Sequence, residues 1–308
     1  MRRGRRAMYS RTMAPSLRML ILSVVAFVAA TGAAPAIAES DFVGDWQNRL
    51  SPEGFHEDHW ERWEGPYPGD YLGFPLNDAG RQKADSYDAS LLTVPEHQCM
   101  PHPSTYAFRS PTSIRITKQF EPDSMRLIAF NISGNTRRAA RNIWMDGRPH
   151  PSAYAMHTWE GFSTGSWEGH VLRVETTHLK AGWLSRNGVP HSERATMSEY
   201  FFRRGDYLSV LTLVRDPVYL TEPFVRSTEF ILNKAPSSNG QPFYRCFGVS
   251  EVAKPESLFP HYLLGQNQYL HEFATRFHVP FEATRGGSQT IYPEYSLTLQ
   301  QHSADLRK

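Results

Sequence analysis

The chain has 308 residues, 40% of them hydrophobic and 13% aromatic, with 33 Lys and Arg against 31 Asp and Glu. Six arginines (Arg2, Arg3, Arg5, Arg6, Arg11, Arg18) fall in the first 38 residues, which hold no acid; the remainder has 27 basic and 31 acidic residues, a net of −4. That balance, with no Lys/Arg stripe interleaved with aromatics, argues against a nucleic-acid partner.

The same N-terminal stretch reads as an export signal. A basic leader is followed by the apolar run Met19 to Gly32 and then by Ala36-Ile37-Ala38, a small-x-small cleavage pattern. The apolar run falls short of the roughly 20 residues a membrane helix needs, so cleavage near Ala38 is expected. No transmembrane span is expected in the mature chain, and the location is periplasmic or secreted. In an oxidising compartment the two cysteines, Cys99 and Cys246, are most simply a disulfide. Closing a loop of that length would contribute about 4–5 kcal/mol in the chain-entropy model. Two free buried thiols are the alternative.

Residues 39–112 form an irregular, aromatic-rich arm, with Trp46, Trp60, Trp63, Tyr67, Tyr71 and Phe74 set among Pro, Gly, Glu and His. One helix is predicted there, Asn77 to Leu91, with Asp78 as a cap. From Ser113 the hydrophobic period becomes two. Strands are predicted at Ser113–Phe120, Met125–Ile132, Asn142–Met145, Val171–His178, Arg194–Arg203, Tyr207–Arg215 and Val225–Leu232. Turn signals at Asp146-Gly147, Glu168-Gly169 and Arg204-Gly205-Asp206 separate them. Many short antiparallel strands at this spacing point to a barrel or sandwich over 113–250. In 251–308, Pro255 to Phe277 has a helical period, with Phe259, Tyr262, Leu263, Leu270, Phe273 and Phe277 near one face.

The central block resembles a family of exported bacterial proteins with lipocalin-like β-barrels and no settled reaction. The resemblance rests on Asp146-Gly147-Arg148-Pro149-His150-Pro151 and on Gly165-Ser166-Trp167-Glu168-Gly169 leading into Leu172 to Thr177. Gly188-Val189-Pro190-His191-Ser192, Asp216-Pro217 and Thr221-Glu222-Pro223 continue it, and Tyr292-Pro293-Glu294-Tyr295 resembles one subgroup. It covers roughly 96–247 and implies a fold and export, but no catalytic residues. Relatives carry Thr-Gly-Phe or Val-Gly-Phe where this chain has Thr177-His178-Leu179. The expected architecture is therefore mainly β: an antiparallel lipocalin-like barrel with the irregular arm before it and an amphipathic helix after it.

Candidate chemistry centres on histidines. On Val171–His178 the apolar face Leu172, Val174, Thr176 would carry His178 into the barrel, where an imidazole can exchange protons near neutral pH. His157 and Glu160, three apart on an aromatic loop, could orient one another as its partners. Trp144, Trp159, Trp167 and Tyr219 are the candidate ligand-binding aromatics. His97, Cys99 and His102 have metal-ligand chemistry without an established zinc spacing, and Cys99 cannot both ligate and join Cys246. Gly161-Phe162-Ser163-Thr164-Gly165 meets the Gly-x-Ser-x-Gly pattern by letter but lacks the strand-to-helix setting of a nucleophile elbow. No phosphate loop or dinucleotide fingerprint appears, so no cofactor is expected.

A closed barrel can hold one small ligand. The expectation is binding or conversion of a small hydrophobic molecule (terpenoid, steroid, lipid or aromatic), as a cofactor-free lyase, hydratase or isomerase if catalytic. A structural or interaction module of the envelope and a metal-dependent enzyme are the alternatives.

Overall fold

In a computed structural model the described residues are 41–48, 66–88, 101–108, 113–134, 140–234 and 261–305. Residues 1–38, where an export leader is expected, lie outside them, as do Trp60, Trp63, His97 and both cysteines, and with these the expected disulfide.

Nine strands close into one barrel: β1 (Gly44–Asn48), β2 (Ile114–Phe120), β3 (Leu127–Gly134), β4 (Arg141–Trp144), β5 (Phe162–Glu168), β6 (Val171–Thr177), β9 (Thr196–Arg204), β10 (Tyr207–Arg215) and β11 (Phe224–Leu232). The two-residue strands β7 (Gly182–Trp183) and β8 (Pro190–His191) form a separate ribbon. The ring order is β1-β11-β10-β9-β6-β5-β4-β3-β2. The fold is thus a lipocalin-like barrel as expected, but mixed rather than all antiparallel, because β4 and β5 run parallel. An odd number of strands cannot alternate direction all the way round a closed ring, so nine strands require such a junction. Parallel neighbours need a long crossover, which here is the stretch from Met145 to Gly161.

Two of the barrel strands lie outside the sequence expectation, as do the short β7 and β8. β1 sits within the irregular arm but pairs with both β2 and β11, so the arm contributes to the barrel itself. Phe162–Glu168 reads as a glycine-rich loop in the sequence, yet it is a full strand in hairpin with β6. Its Gly165 is there for close approach: a Cβ would lie 2.5 Å from Met145 Sδ and 3.0 Å from Ile143 Cγ2. The Asp146-Gly147 and Glu168-Gly169 turns form as expected, with Gly147 and Gly169 at φ 75° and 66°.

Inward faces follow the two-residue alternation and make two hydrophobic clusters. The first fills one part of the barrel with Ile114, Ile116, Phe130, Ile132, Ile143, Leu172, Val174, Phe201, Leu208, Val210 and Phe230. Phe42 enters it ahead of β1, stacked on Trp167 at 5.7 Å and edge-on to Phe130 and Phe201. Phe108 enters it from the short helix α2 (Ser104–Ala107), edge-on to Phe201 and Phe230. Each such buried aromatic contributes about 1.5–3 kcal/mol. The second cluster caps the other end, where Tyr71, Phe74, Leu76 and Ala84 of the arm meet Leu179, Met197, Val214, Leu220 and Phe224.

The predicted arm helix is shorter than its sequence window, α1 at Asp78–Asp85, and its cap is Asn77 rather than Asp78. The Asn77 side chain accepts from the Gly80 amide at 2.9 Å. The C-terminal helix also differs. Gly265 takes φ 74° and interrupts the expected run, leaving a 3-10 turn at Gln268–His271 and a six-residue α3 (Glu272–Phe277). A further helix, α4, spans Pro293–Asp305. This tail lies against the arm: Tyr71 N donates to Thr284 O, Gly287 N to Phe74 O, and Arg285 pairs with Asp85 at 2.5 Å. Among the described residues no helix is long and apolar enough to cross a membrane.

Candidate functional site

Between the two clusters lies a polar layer. Along β9 the inward residues are Met197 of the second cluster, then Glu199, then Phe201 of the first. Opposite Glu199 on β10 stands Thr212, between Val210 and Val214. β4 contributes Arg141, β5 Ser163 and β6 Thr176, all buried. The Arg141 guanidinium joins them. Nε donates to Ser163 Oγ at 2.9 Å; Nη2 donates to Thr176 Oγ1 at 2.7 Å and to Glu199 Oε2 in a very short contact. Ser163 and Thr176 hydroxyls are 2.9 Å apart.

The ion pair is shut off from solvent, with side-chain exposures of 6% for Arg141 and 0% for Glu199. Two of its atoms, Arg141 Nη1 and Glu199 Oε1, have no hydrogen-bond partner among the described residues. Buried polar atoms are nearly always paired, so an unpartnered guanidinium nitrogen on a residue that lines a cavity is a pointer to a binding site. That cavity is bounded by Arg141, Ile132, His102, Ser104, Ala107, Phe108 and Glu160, and its volume of about 10 Å³ suits one water molecule.

The wall opposite Arg141 is the segment 101–108. Ser104 N donates to Trp159 O at 3.0 Å, Ser104 Oγ to Glu160 O at 2.8 Å, and Thr105 Oγ1 to Trp183 O at 3.3 Å. His102 packs edge-on to Tyr106 at 5.0 Å, and Trp159 lies 5.8 Å from Trp183. The structure therefore brings Glu160 and His102 to one cavity with Arg141, which does not stand out in the sequence, and Trp159 to its margin through Ser104.

The expected inward His178 is a correction. His178 takes φ 58°, a left-handed backbone that ends β6 at Thr177 and carries the imidazole out of the inward register. It lies on the outer wall beside the crossover. There Thr177 Oγ1 sits 2.7 Å from both His150 Nδ1 and His178 Nδ1, His150 Nε2 is 2.8 Å from Thr164 Oγ1, and His178 Nε2 is 2.8 Å from Ser152 O. For neutral rings only one proton arrangement fits. The Ser152 carbonyl needs a donor, so His178 carries its proton on Nε2 and accepts from Thr177 at Nδ1. Thr177 then accepts from His150 Nδ1–H, and Thr164 donates to His150 Nε2. Burial, then the neighbouring His178, holds His150 below the usual histidine range.

His157 is near this relay, its ring centroid 5.2 Å from that of His178, and its Nδ1 donates to Leu179 O at 2.8 Å. No hydrogen bond joins it to Glu160 among the described residues. The three proposed catalytic residues are thus divided: His157 and His178 outside the wall, Glu160 at the cavity.

The four candidate aromatics do not converge either. Trp144 faces outward under the Arg148 guanidinium, 3.5 Å from its centroid, and Arg148 is held by Asp146, whose carboxyl those hydrogen bonds pull down to about 2. Trp167 belongs to the first cluster, and only Trp159 stands near the cavity. Tyr219 uses its carbonyl to accept from Asn77 N at 3.0 Å, fixing the arm helix. Ser163, met by letter in a hydrolase pattern, is a partner of Arg141. Of the metal set only His102 is described, and among the described residues no three His, Cys, Asp or Glu side chains gather as metal ligands.

The fold and this layer define a small closed β-barrel of lipocalin-like form with a buried, charge-paired layer between two hydrophobic clusters. No family model, curated protein or solved structure matches the chain.

Proposed function

We propose that the chain is an exported lipocalin-like binding protein that holds the polar end of a small, largely apolar molecule against Arg141. The observation that supports this reading is Arg141, which lines a cavity and carries a buried donor, Nη1, without a partner among the described residues. Export rests on the arginine-rich leader, the apolar run and Ala36-Ile37-Ala38. The cavity as it stands admits a water-sized group. Seating a larger skeleton requires Phe108 and Ala107 to yield; Ser104 and Thr105 tie this segment to backbone carbonyls, and Phe108 O accepts from Asn48 Nδ2 at 3.4 Å.

The test is native mass spectrometry of the mature protein recovered from its own compartment. A co-purifying small molecule is expected in the wild type and lost in Arg141→Met/Glu199→Leu, a double change that removes both charges without stranding either. A bare protein mass in the wild type, or a ligand retained by the double variant, would overturn the reading. The well-filled first cluster, together with Tyr154 and Met156 standing 99% and 83% exposed on the crossover, favours the interaction-module reading as the second choice.

A further inference from the structure

We infer that the group received at Arg141 is a neutral hydrogen-bond acceptor, a carbonyl or hydroxyl on an apolar skeleton, and that the site discriminates against carboxylates and phosphates. The inference rests on the binding reading above and adds the charge class of the ligand.

An arginine in a pocket is ordinarily a receptor for anions, because its fork matches a carboxylate in geometry and charge. Here the charge is already matched. Glu199 is fully buried and in direct contact with Nη2, while Nε and Nη2 are further occupied by Ser163 and Thr176. What remains is one nitrogen, Nη1, with donor capacity but no net positive charge behind it. A second acid, Glu160, belongs to the cavity wall. Among the described residues, the charges in the cavity wall or directly behind it are therefore the Arg141 guanidinium, the Glu199 carboxylate paired to it and Glu160. An incoming anion would meet two like charges and one cation already spoken for, in a setting with little water to screen them.

A neutral acceptor meets none of that opposition. It satisfies Nη1 and leaves the ion pair intact. The apolar residues of the wall, Ile132, Ala107 and Phe108, suit a hydrocarbon body.

The experiment compares matched six-carbon probes: hexanoate, hexan-2-one, hexan-1-ol and hexanamide at pH 7.5. Binding is read from the shift of the Arg141 Nε–H NMR signal in the wild type and in Phe108→Ala, which opens space beside the cavity. The neutral probes are expected to bind about tenfold or more tightly than hexanoate, with Glu160→Gln raising hexanoate affinity several-fold relative to the ketone. Hexanoate binding as tightly as the neutral probes, or tighter, would overturn the charge inference while leaving Arg141 as a binding site. No perturbation by any probe in either protein would overturn the binding reading and this inference together.

Discussion

Thr176 and Thr177 are adjacent on β6, yet their hydroxyls serve opposite sides of the barrel wall. Thr176 Oγ1 accepts from buried Arg141 at 2.7 Å, whereas Thr177 Oγ1 bridges His150 and His178 outside, also at 2.7 Å. The neighbouring strand repeats the arrangement, with Ser163 bonded inward and Thr164 outward. Strand alternation thus mounts two polar networks back to back on one hairpin.

The outer network makes a definite statement about protons. Nitrogen chemical shifts at pH 7.5 should show His150 and His157 protonated on Nδ1 and His178 on Nε2. Thr177→Val strands both inner ring nitrogens and should cost about 1–3 kcal/mol in denaturant unfolding. Finding His178 as the Nδ1–H tautomer would contradict the deduced chain.

Inside the barrel, Arg141→Met leaves Glu199 buried without its counter-charge and should destabilise by about 3–5 kcal/mol. Arg141→Met/Glu199→Leu should recover most of that loss, because apolar residues of similar size replace the pair. Urea midpoints of wild type, single and double variants make the comparison; a double variant no more stable than the single would contradict it.

Buried His191 and half-buried Asp70 oppose each other in pH dependence. Burial pushes His191 down to about 4, so in the folded state it stays neutral where the unfolded chain takes up a proton. Its contribution is present above the unfolded value near 6.5 and is lost as pH falls from there to about 4, a change of about 3 kcal/mol. Burial pushes Asp70 up to about 7, so its contribution is present at acid pH and is lost as pH rises through 7. Wild-type stability should therefore be comparatively flat between pH 4 and 6.5. Asp70→Asn removes the opposing group and should give a stability that rises clearly with pH across that window, measured by urea unfolding at half-unit steps.

Gly165→Ala tests the close approach of β5 to β4. The added methyl meets Met145 Sδ, which can move, and Ile143 Cγ2, which is packed in the core. A loss of about 1–3 kcal/mol is expected from overpacking, with amide exchange quickening first at Ile143 and Trp144. Thermal unfolding unchanged from wild type would show that the junction has slack.

The strands with clean alternation, β6, β9, β10 and β11, could be read directly from sequence, since a half-buried strand must place apolar side chains at every second position. β5 could not, because its inward residues are Ser163, Gly165 and Trp167 and only the last is apolar. The inner site does leave a signal in the sequence. Arg141 is in register with inward Ile143, and Glu199 lies between inward Met197 and Phe201, so two opposite charges occupy core positions on different strands. His178 misled for a different reason: periodicity extends a strand in thought, while one left-handed φ ends it, and nothing in residue type alone announces that angle.

The parallel junction is the shortest pairing in the ring, two residue pairs between a four-residue β4 and β5. Arg141 spans that junction from within, reaching Ser163 and Thr176 on the far side and Glu199 beyond them. The polar layer is therefore also a clasp. Unfastened, it would let the cylinder part along this line and lay bare two strand edges, each a template for another copy of the chain. Arg141 and Glu199 thus tie four strands together across the weakest seam of the ring.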